Sequence, residues 1–340
     1  MKHPYILNTF FLIAALILSV AIGAVYIPPG MITQIILNSL IAHLEPGIIS
    51  ETMVTIVWQL RLPHAILIAM AGAALAASGA GYQGLFQNPL ADPYLIGVAS
   101  GAGLGAVLAM SLNWPSNLLG FFSIPGAAFI GAALTVIIVY RLARFGNILS
   151  TTNLILAGVA VGSFASALTS FIMLRSEGEV RRAIAWLLGG SALSGWLPVL
   201  AGLPYILISL GMLVASGYAL NVLQFGDEQA QQLGLPVERI KIWIIIAASL
   251  ATATAVAFTG VIGFVGLIVP HVVRILWGPD YRRLIPLSIL AGATMLLIAD
   301  LLARIIFAPQ EVPIGVITAL AGVPFFLWIL RRSQRGMVQV

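Results

Sequence analysis

The polar side chains of this 340-residue chain are few, and their types and spacing narrow the chemistry they can do. Its only lysines are Lys2 and Lys241, and neither completes the GxxxxGK(S/T) loop that cradles nucleotide phosphates. The chain therefore does not hydrolyse ATP by that route. No carboxylate pair, Ser-His-Asp set or metal-spaced cluster stands out, and the absence of cysteine excludes disulfides and thiol chemistry. His271 lies between Pro270 and Val272 with no second histidine nearby, which reads as a hydrogen-bonded residue at a helix end rather than a metal ligand. Glu311, ahead of Pro313 and Gly315, suits the positive end of the helix that follows. Asp300 and Arg304 stand one helical turn apart with the acid first, the favourable order. Two readings of that pair stay open: local neutralisation near a membrane interface, where a lone charge is costly, or an arginine held by Asp300 and aimed outward at an acidic partner. Few carboxylates fall in the apolar segments, whereas a proton-driven carrier often has relay carboxylates there, so the energy source is expected elsewhere.

The elements that must position these groups are membrane helices. The chain is 60% hydrophobic and 8% charged, against roughly 25% charged in a soluble domain. Its 34 glycines and 18 prolines suit membrane helices, which tolerate both. A net charge of +5 reads as cytoplasmic loops, and no basic run with interleaved aromatics points to nucleic acid. The apolar run from Tyr5 to Ile27 is longer than a signal-peptide core of about 7–15 residues, so it reads as a retained first span. A span needs about 20 apolar residues. That ruler gives ten candidates: 5–27, 62–86, 95–112, 121–140, 152–173, 197–220, 242–262, 264–277, 284–303 and 314–331. With ten spans and the N-terminus inside, 11 lysines and arginines fall on the cytoplasmic side and 5 on the other, so both termini are expected in the cytoplasm. No soluble domain is evident, and residues 1–340 read as a single transmembrane domain.

The run Thr259–Arg274, TGVIGFVGLIVPHVVR, is interrupted by Gly260, Gly263, Gly266 and Pro270. Residues 242–277 as one helix would reach about 54 Å, too long for a single crossing, so the glycines from Gly260 to Gly266 are expected to break it. Irregular backbone of this kind must lie against protein or line a cavity. Outside the spans, Met31–Leu44 and Glu179–Gly190 read as short external helices, and Phe225–Leu235 as a polar internal segment. Gly97, Gly101 and Gly105 make a flat face on span three, expected to pack within the subunit, with a specific dimer contact as the alternative. A faint repeat places Ser78-Gly79 and Thr259-Gly260 each ten residues before a proline, Pro89 and Pro270, and Leu156-Ala157-Gly158-Val159 recurs as Leu320-Ala321-Gly322-Val323. An offset of five spans would invert one half relative to the other.

Taken in order, the segments RLPH (61–64), AGAALAASGAGYQGLFQNPLADPYLIGVASGAG (71–103), LILAGVAVG (154–162), AWLLGGS (185–191), LNVLQFGDEQAQQLGL (220–235), GVIGFVGLIVPHVVRILWGPDYRRLIP (260–286), ADLLAR (299–304) and EVPIGVITALAGVPFF (311–326) resemble the FecCD family. These are permease subunits of type II ABC importers for ferric siderophores, haem and vitamin B12. The resemblance spans nearly the whole chain and departs at His64, where the family usually has arginine. It implies an all-α polytopic membrane fold of about ten transmembrane helices. It also implies a second permease copy (a homodimer or related permease), two separate ATPase subunits inside, and an external substrate-binding protein. The chain itself would be no enzyme and bind no cofactor, with ATP and Mg on the ATPase. Arg61, His64 and Arg304 match positions that dock the binding protein. Gly226, Asp227, Glu228 and Gly234 match the ATPase-coupling segment at about 225–235. Asn88, Leu90, Ser150 and Thr151 match the narrow inner points of the passage. The function implied is import of an iron complex across a bacterial inner membrane, or, alternatively, of cobalamin. An ion- or proton-coupled carrier working alone is the reading from another class, and a receptor-like membrane protein would leave the coupling segment unexplained.

Overall fold

The computed structural model describes residues 3–23, 25–41, 50–112, 122–146, 148–175, 178–190, 193–308 and 310–337. Lys2, Ser191 and residues 42–44 of the expected external helix lie outside them, as do the side chains of Arg332 and Arg335. The chain is a bundle of helices: α1 (Pro4–Ala21), α2 (Pro29–Ile41), α3 (Glu51–Leu85), α4 (Val98–Ser111), α5 (Ser123–Ala143), α6 (Thr151–Arg175) and α7 (Val180–Leu187). These are followed by α8 (Trp196–Ala215), α9 (Gly217–Leu223), α10 (Asp227–Gln232), α11 (Val237–Thr259), α12 (Val265–Trp277), α13 (Tyr281–Ile305) and α14 (Ile314–Met337). A turn of 3-10 helix, Pro93–Ile96, precedes α4. A two-residue antiparallel pair, β1 (Arg144–Phe145) with β2 (Ile148–Leu149), leads into α6. Among the described residues, seven helices are long and apolar enough to cross a membrane: α1, α3, α5, α6, α8, α11 and α13. The three shorter apolar helices, α4, α12 and Ile314–Trp328 of α14, fall on the remaining expected spans.

Helix α3 is the hub, and small residues make it so. A Cβ at Gly72 would strike the Gly292 carbonyl of α13, and one at Gly292 would strike the Gly72 carbonyl. At Gly79 it would enter the Gly266 backbone of α12. Such glycines let backbones approach closely where lipid offers no hydrophobic drive for association. Hydroxyl pairs then fix α3 against α11: Ser78 Oγ to Thr252 Oγ1 at 2.6 Å and Tyr82 OH to Ser249 Oγ at 2.7 Å. Residues 64, 72 and 84 of α3 meet 300, 292 and 281 of α13, so the two run antiparallel. The glycine face of α4 packs inside the subunit as expected, with Gly101 against Gly131 and Thr135, and Gly105 against Ala127.

The break between α11 and α12 is sharper than its four interruptions imply. The helix stops at Thr259 and restarts at Val265. Gly260 takes φ +77° and would clash with the Trp186 carbonyl if it carried a Cβ. Phe264, a non-glycine, also takes positive φ (+69°), and its ring fills the space beside Gly322. Gly266 and Pro270 do not interrupt anything; both lie inside α12, where Gly266 gives α3 room. The two Ser/Thr-Gly pairs of the faint repeat sit differently, Ser78-Gly79 mid-helix in α3 and Thr259-Gly260 at the end of α11, whereas 156–159 and 320–323 both lie in the second and third turns of their helices, α6 and α14. Helix α8 ends at Ala215, five residues short of the expected span, and the chain continues as α9 with Gly217 pressed against the backbone of Arg282.

Candidate functional site

The residues singled out by sequence gather at the two ends of the regular α-helical stretch of α3, Leu62–Leu85. At its N-terminal end stand Arg61 and His64; Gln87 and Asn88 follow its C-terminal end. From His64 to Leu85 the helix rises about 30 Å at 1.5 Å per residue, the thickness of a bilayer core.

At the first end, Arg61, His64, Asp300 and Arg304 converge on the last turn of α1. His64 Nε2 lies 2.9 Å from Asp300 Oδ1, and Arg304 Nη2 lies 2.8 Å from Asp300 Oδ2. Arg304 also donates to the carbonyls of Ser19 (3.2 Å) and Ile22 (3.3 Å) and to Ser19 Oγ (2.9 Å). Arg61 donates to the carbonyls of Val20 (2.8 Å), Ala21 (3.3 Å) and Val25 (2.6 Å). Two guanidiniums thus supply donors to the Ser19 and Val20 carbonyls, which the end of α1 leaves without helical partners, and to carbonyls just beyond it, and their charge complements the helix dipole. The Arg304 side chain is only 16% exposed and faces α1, so the geometry is that of local neutralisation rather than of an arginine aimed outward. Arg61 and His64 are half-buried at the rim. Beside them Trp196 Nε1 donates to the Trp58 carbonyl at 2.9 Å, within the π-helical turn Thr55–Arg61.

At the opposite end a cavity of about 370 Å³ opens between Leu85, Phe86, Gln87, Thr151 and the stretch Phe225–Gln229. It brings Thr151, expected at the passage, together with Gly226, Asp227 and Glu228, expected at the ATPase contact. Gly226 (φ +98°) and Gly234 (φ +88°) bracket α10, the only helix in the 225–235 segment, and both conformations favour glycine. Asp227, Glu228 and Gln229 are exposed, and so are Phe225 and Leu233. Ser150 Oγ accepts from Asn153 N–H at 3.3 Å, at the start of α6. Asn88 is exposed, and its Oδ1 accepts from Leu90 N–H at 2.9 Å, closing the turn that carries both.

Further polar groups acquire partners that only the structure reveals. Lys241, one turn into α11, is 2% exposed and ion-paired with Asp227. Gln83 donates to the carbonyls of Gly266 (3.3 Å) and Leu267 (3.2 Å) and accepts from Arg274 at 3.1 Å; Arg274 also reaches Tyr281 OH at 3.2 Å. Asp280 caps α13 through Arg282 N–H (3.0 Å) and accepts from Asn221 at 2.6 Å. The Arg282 guanidinium and the Asn221 amide hold its carboxyl at about 2, below the usual range. Burial pushes Asp92, which caps the 3-10 turn by accepting from Tyr94 N–H at 2.8 Å, up to about 6. Lys241 had a signal in the sequence: it is one of two lysines, and it directly precedes an apolar span.

Residues 11–332 match the FecCD transport family. The chain is 40% identical to an uncharacterized ABC transporter permease protein, YvrB, of Bacillus subtilis, over 98% of this chain and 94% of the relative. It is 45% identical to the cobalamin import system permease protein BtuC of Halobacterium salinarum, over 86% and 78%. Among solved structures it superposes on a metal-chelate type ABC transporter in an inward-facing conformation with a TM-score of 0.82 and 29% identity, covering 96% of this chain and 98% of that one. The chain belongs to the FecCD transport family. It is a multi-pass membrane protein and the permease subunit of an ABC importer, with ATP hydrolysis on a separate chain.

Proposed function

We propose that this permease imports a large metal chelate, and that a corrinoid is the first candidate, with iron complexes such as haem or a ferric siderophore next. The observation that carries the reading is the 45% identity, over most of both chains, to a permease whose name specifies cobalamin. The metal-chelate type of the superposing structure supports the broader class. In this reading the chain sits in a bacterial cytoplasmic membrane with both termini inside, pairs with a second permease, and binds two ATPase subunits at the Asp227–Gln232 end. An external binding protein docks at the Arg61 and His64 end. Its acidic groups meet Arg61 and His64 at the rim, where each ion pair contributes about 0.2–1 kcal/mol and chiefly sets orientation. Asn88, Leu90, Ser150 and Thr151 close the passage on the inner side. All four are uncharged, so they hold polar cargo weakly and suit release, and cargo selection falls to the binding protein.

The test is to isolate the chain by an affinity tag from its own cells, reconstitute the complex with its binding protein, and measure ATP-dependent uptake of cyanocobalamin, haemin and a ferric siderophore. Cyanocobalamin uptake that requires ATP is the expected result. Uptake of the iron complexes alone would overturn the corrinoid choice, and uptake by this chain alone on an ion gradient would overturn the ATP-driven reading.

A further inference from the structure

The buried ammonium of Lys241 is the feature that the function above does not absorb. Charges are rarely retained in an apolar interior, because a well-packed hydrophobic residue avoids their desolvation cost. Here the group stands at a crossing of three segments. It is ion-paired with Asp227, the first residue of α10, and donates to the Leu149 carbonyl at 3.4 Å. Glu238, one turn earlier on α11, lies 4.0 Å from the same ammonium and accepts from Leu149 N–H at 3.0 Å. The Leu149 residue is thereby gripped at both its N–H and its C=O. It ends the β1–β2 pair and immediately precedes Ser150 and Thr151.

The geometry has a mechanical consequence. A shift of α10 against α11 pulls on the Lys241–Asp227 pair, and through the shared ammonium that pull bears on the Leu149 carbonyl. On the other side of the same cavity a second link exists: Gln87 Nε2 donates to the Leu223 carbonyl at 2.8 Å, joining the turn of Asn88 and Leu90 to α9 just ahead of α10. Gln87 holds φ +50°, a conformation that non-glycine residues seldom adopt, so this turn is specified by its surroundings. Both chain segments expected at the inner end of the passage are thus tied to the surroundings of the segment expected to meet the ATPase: one by Gln87 to Leu223 just ahead of it, the other by Leu149 to Lys241, which pairs with Asp227 inside it.

We infer that Lys241, cradled by Glu238, is the positioning residue that transmits displacement of the Asp227–Gln232 helix to the gate at Ser150 and Thr151. The inference rests on the ABC-permease reading of those two segments. Lys241 touches neither cargo nor nucleotide; it acts through Leu149.

The absence of native cysteine provides the probe. In the complete reconstituted complex, Ser150→Cys reports gate exposure through maleimide labelling read on the separated permease chain, where it is the single thiol, with and without a non-hydrolysable ATP analogue. With Lys241 present, nucleotide is expected to change that reactivity. With Lys241→Met, the change and the cargo moved per ATP are each expected to fall at least about fivefold, the low end of coupling between linked sites. The ATPase should remain bound and hydrolysing. Lys241→Arg, which keeps charge and donors, should restore both readouts. If Lys241→Met does not assemble, Glu238→Leu, at a partly exposed position, is read in the same way. An unchanged thiol response and unchanged cargo per ATP in the Lys241→Met or Glu238→Leu variant overturn the inference. The underlying reading fails differently: the thiol at position 150 would ignore nucleotide even with Lys241 in place, or no ATPase would accompany the complex.

Discussion

Helices α3 and α6 have similar apolar content and opposite surroundings. In the most apolar 18-residue stretch of α3, 83% of residues are buried within the chain; in α6 the figure is 22%. Helix α3 is rich in glycine and alanine and meets α11, α12 and α13 through backbone contacts and hydroxyl pairs. Helix α6 buries one narrow stripe, Leu154, Gly158, Gly162, Ala165 and Thr169, and turns Leu156, Val159, Phe164, Phe171 and Leu174 outward. The stripe recurs at intervals of three and four residues, the spacing of one helical face. Hydropathy thus identifies a span but not its neighbours. Small residues mark the helix that other helices approach, and large apolar residues mark the face left for lipid or another subunit.

The largest expected effect tests the anchoring of the α3 hub. Removing Asp300 leaves Arg304 without its buried partner and His64 of α3 without its acceptor. Asp300→Ala should lower the unfolding free energy of the detergent-solubilised protein by about 3–5 kcal/mol. A loss under about 1 kcal/mol would mean that the carbonyls of α1 suffice to hold Arg304. Next, Gly79→Ala forces a Cβ into the Gly266 backbone, which cannot yield as a flexible side chain would. Overpacking of this kind costs about 1–3 kcal/mol, read as a drop in Tm, and a neutral outcome would show that α3 and α12 separate freely.

A smaller effect lies at the rim of the hub. Asp280→Ala removes the cap of α13 and should cost about 1 kcal/mol at neutral pH. The folded-state carboxyl is held near 2, below its unfolded value of about 3.9, so its contribution is present above about pH 4 and is lost as pH falls through 2. The stability gap between the parent and Asp280→Ala should therefore narrow between about pH 4 and pH 2; a constant gap would assign it to packing. The smallest effect belongs to α6. Leu156→Ala, on the outward face, should change unfolding of the isolated subunit by no more than about 0.5 kcal/mol. It should nonetheless weaken pairing with a second permease if that face is the contact, and sedimentation in detergent reads this directly. A large loss in the monomer would erase the contrast between the two helices.

Much of this contrast was legible in the residues. Each expected span has a helix, the break in 242–277 appears, and the glycine face of span three packs as anticipated, because 3.6-residue periodicity and glycine's small volume act locally. Other features were not. Nothing local marks Phe264 for positive φ; its ring packs beside Gly322, far along the chain. The pairing of His64 with Asp300 spans 236 residues, and the turning of Arg304 onto α1 depends on where α1 ends.

Composition and motif order suffice to make this a membrane permease of the FecCD family with no nucleotide loop of its own, since those properties reside in residue types and short spacings. Where the scarce charges act is a property of the folded bundle alone. It directs two arginines to the end of α1 and places Lys241 between α10 and the start of α6. A charge in an apolar bundle must find its partner wherever the fold brings one within reach, and such partners lie on other helices, beyond any local pattern.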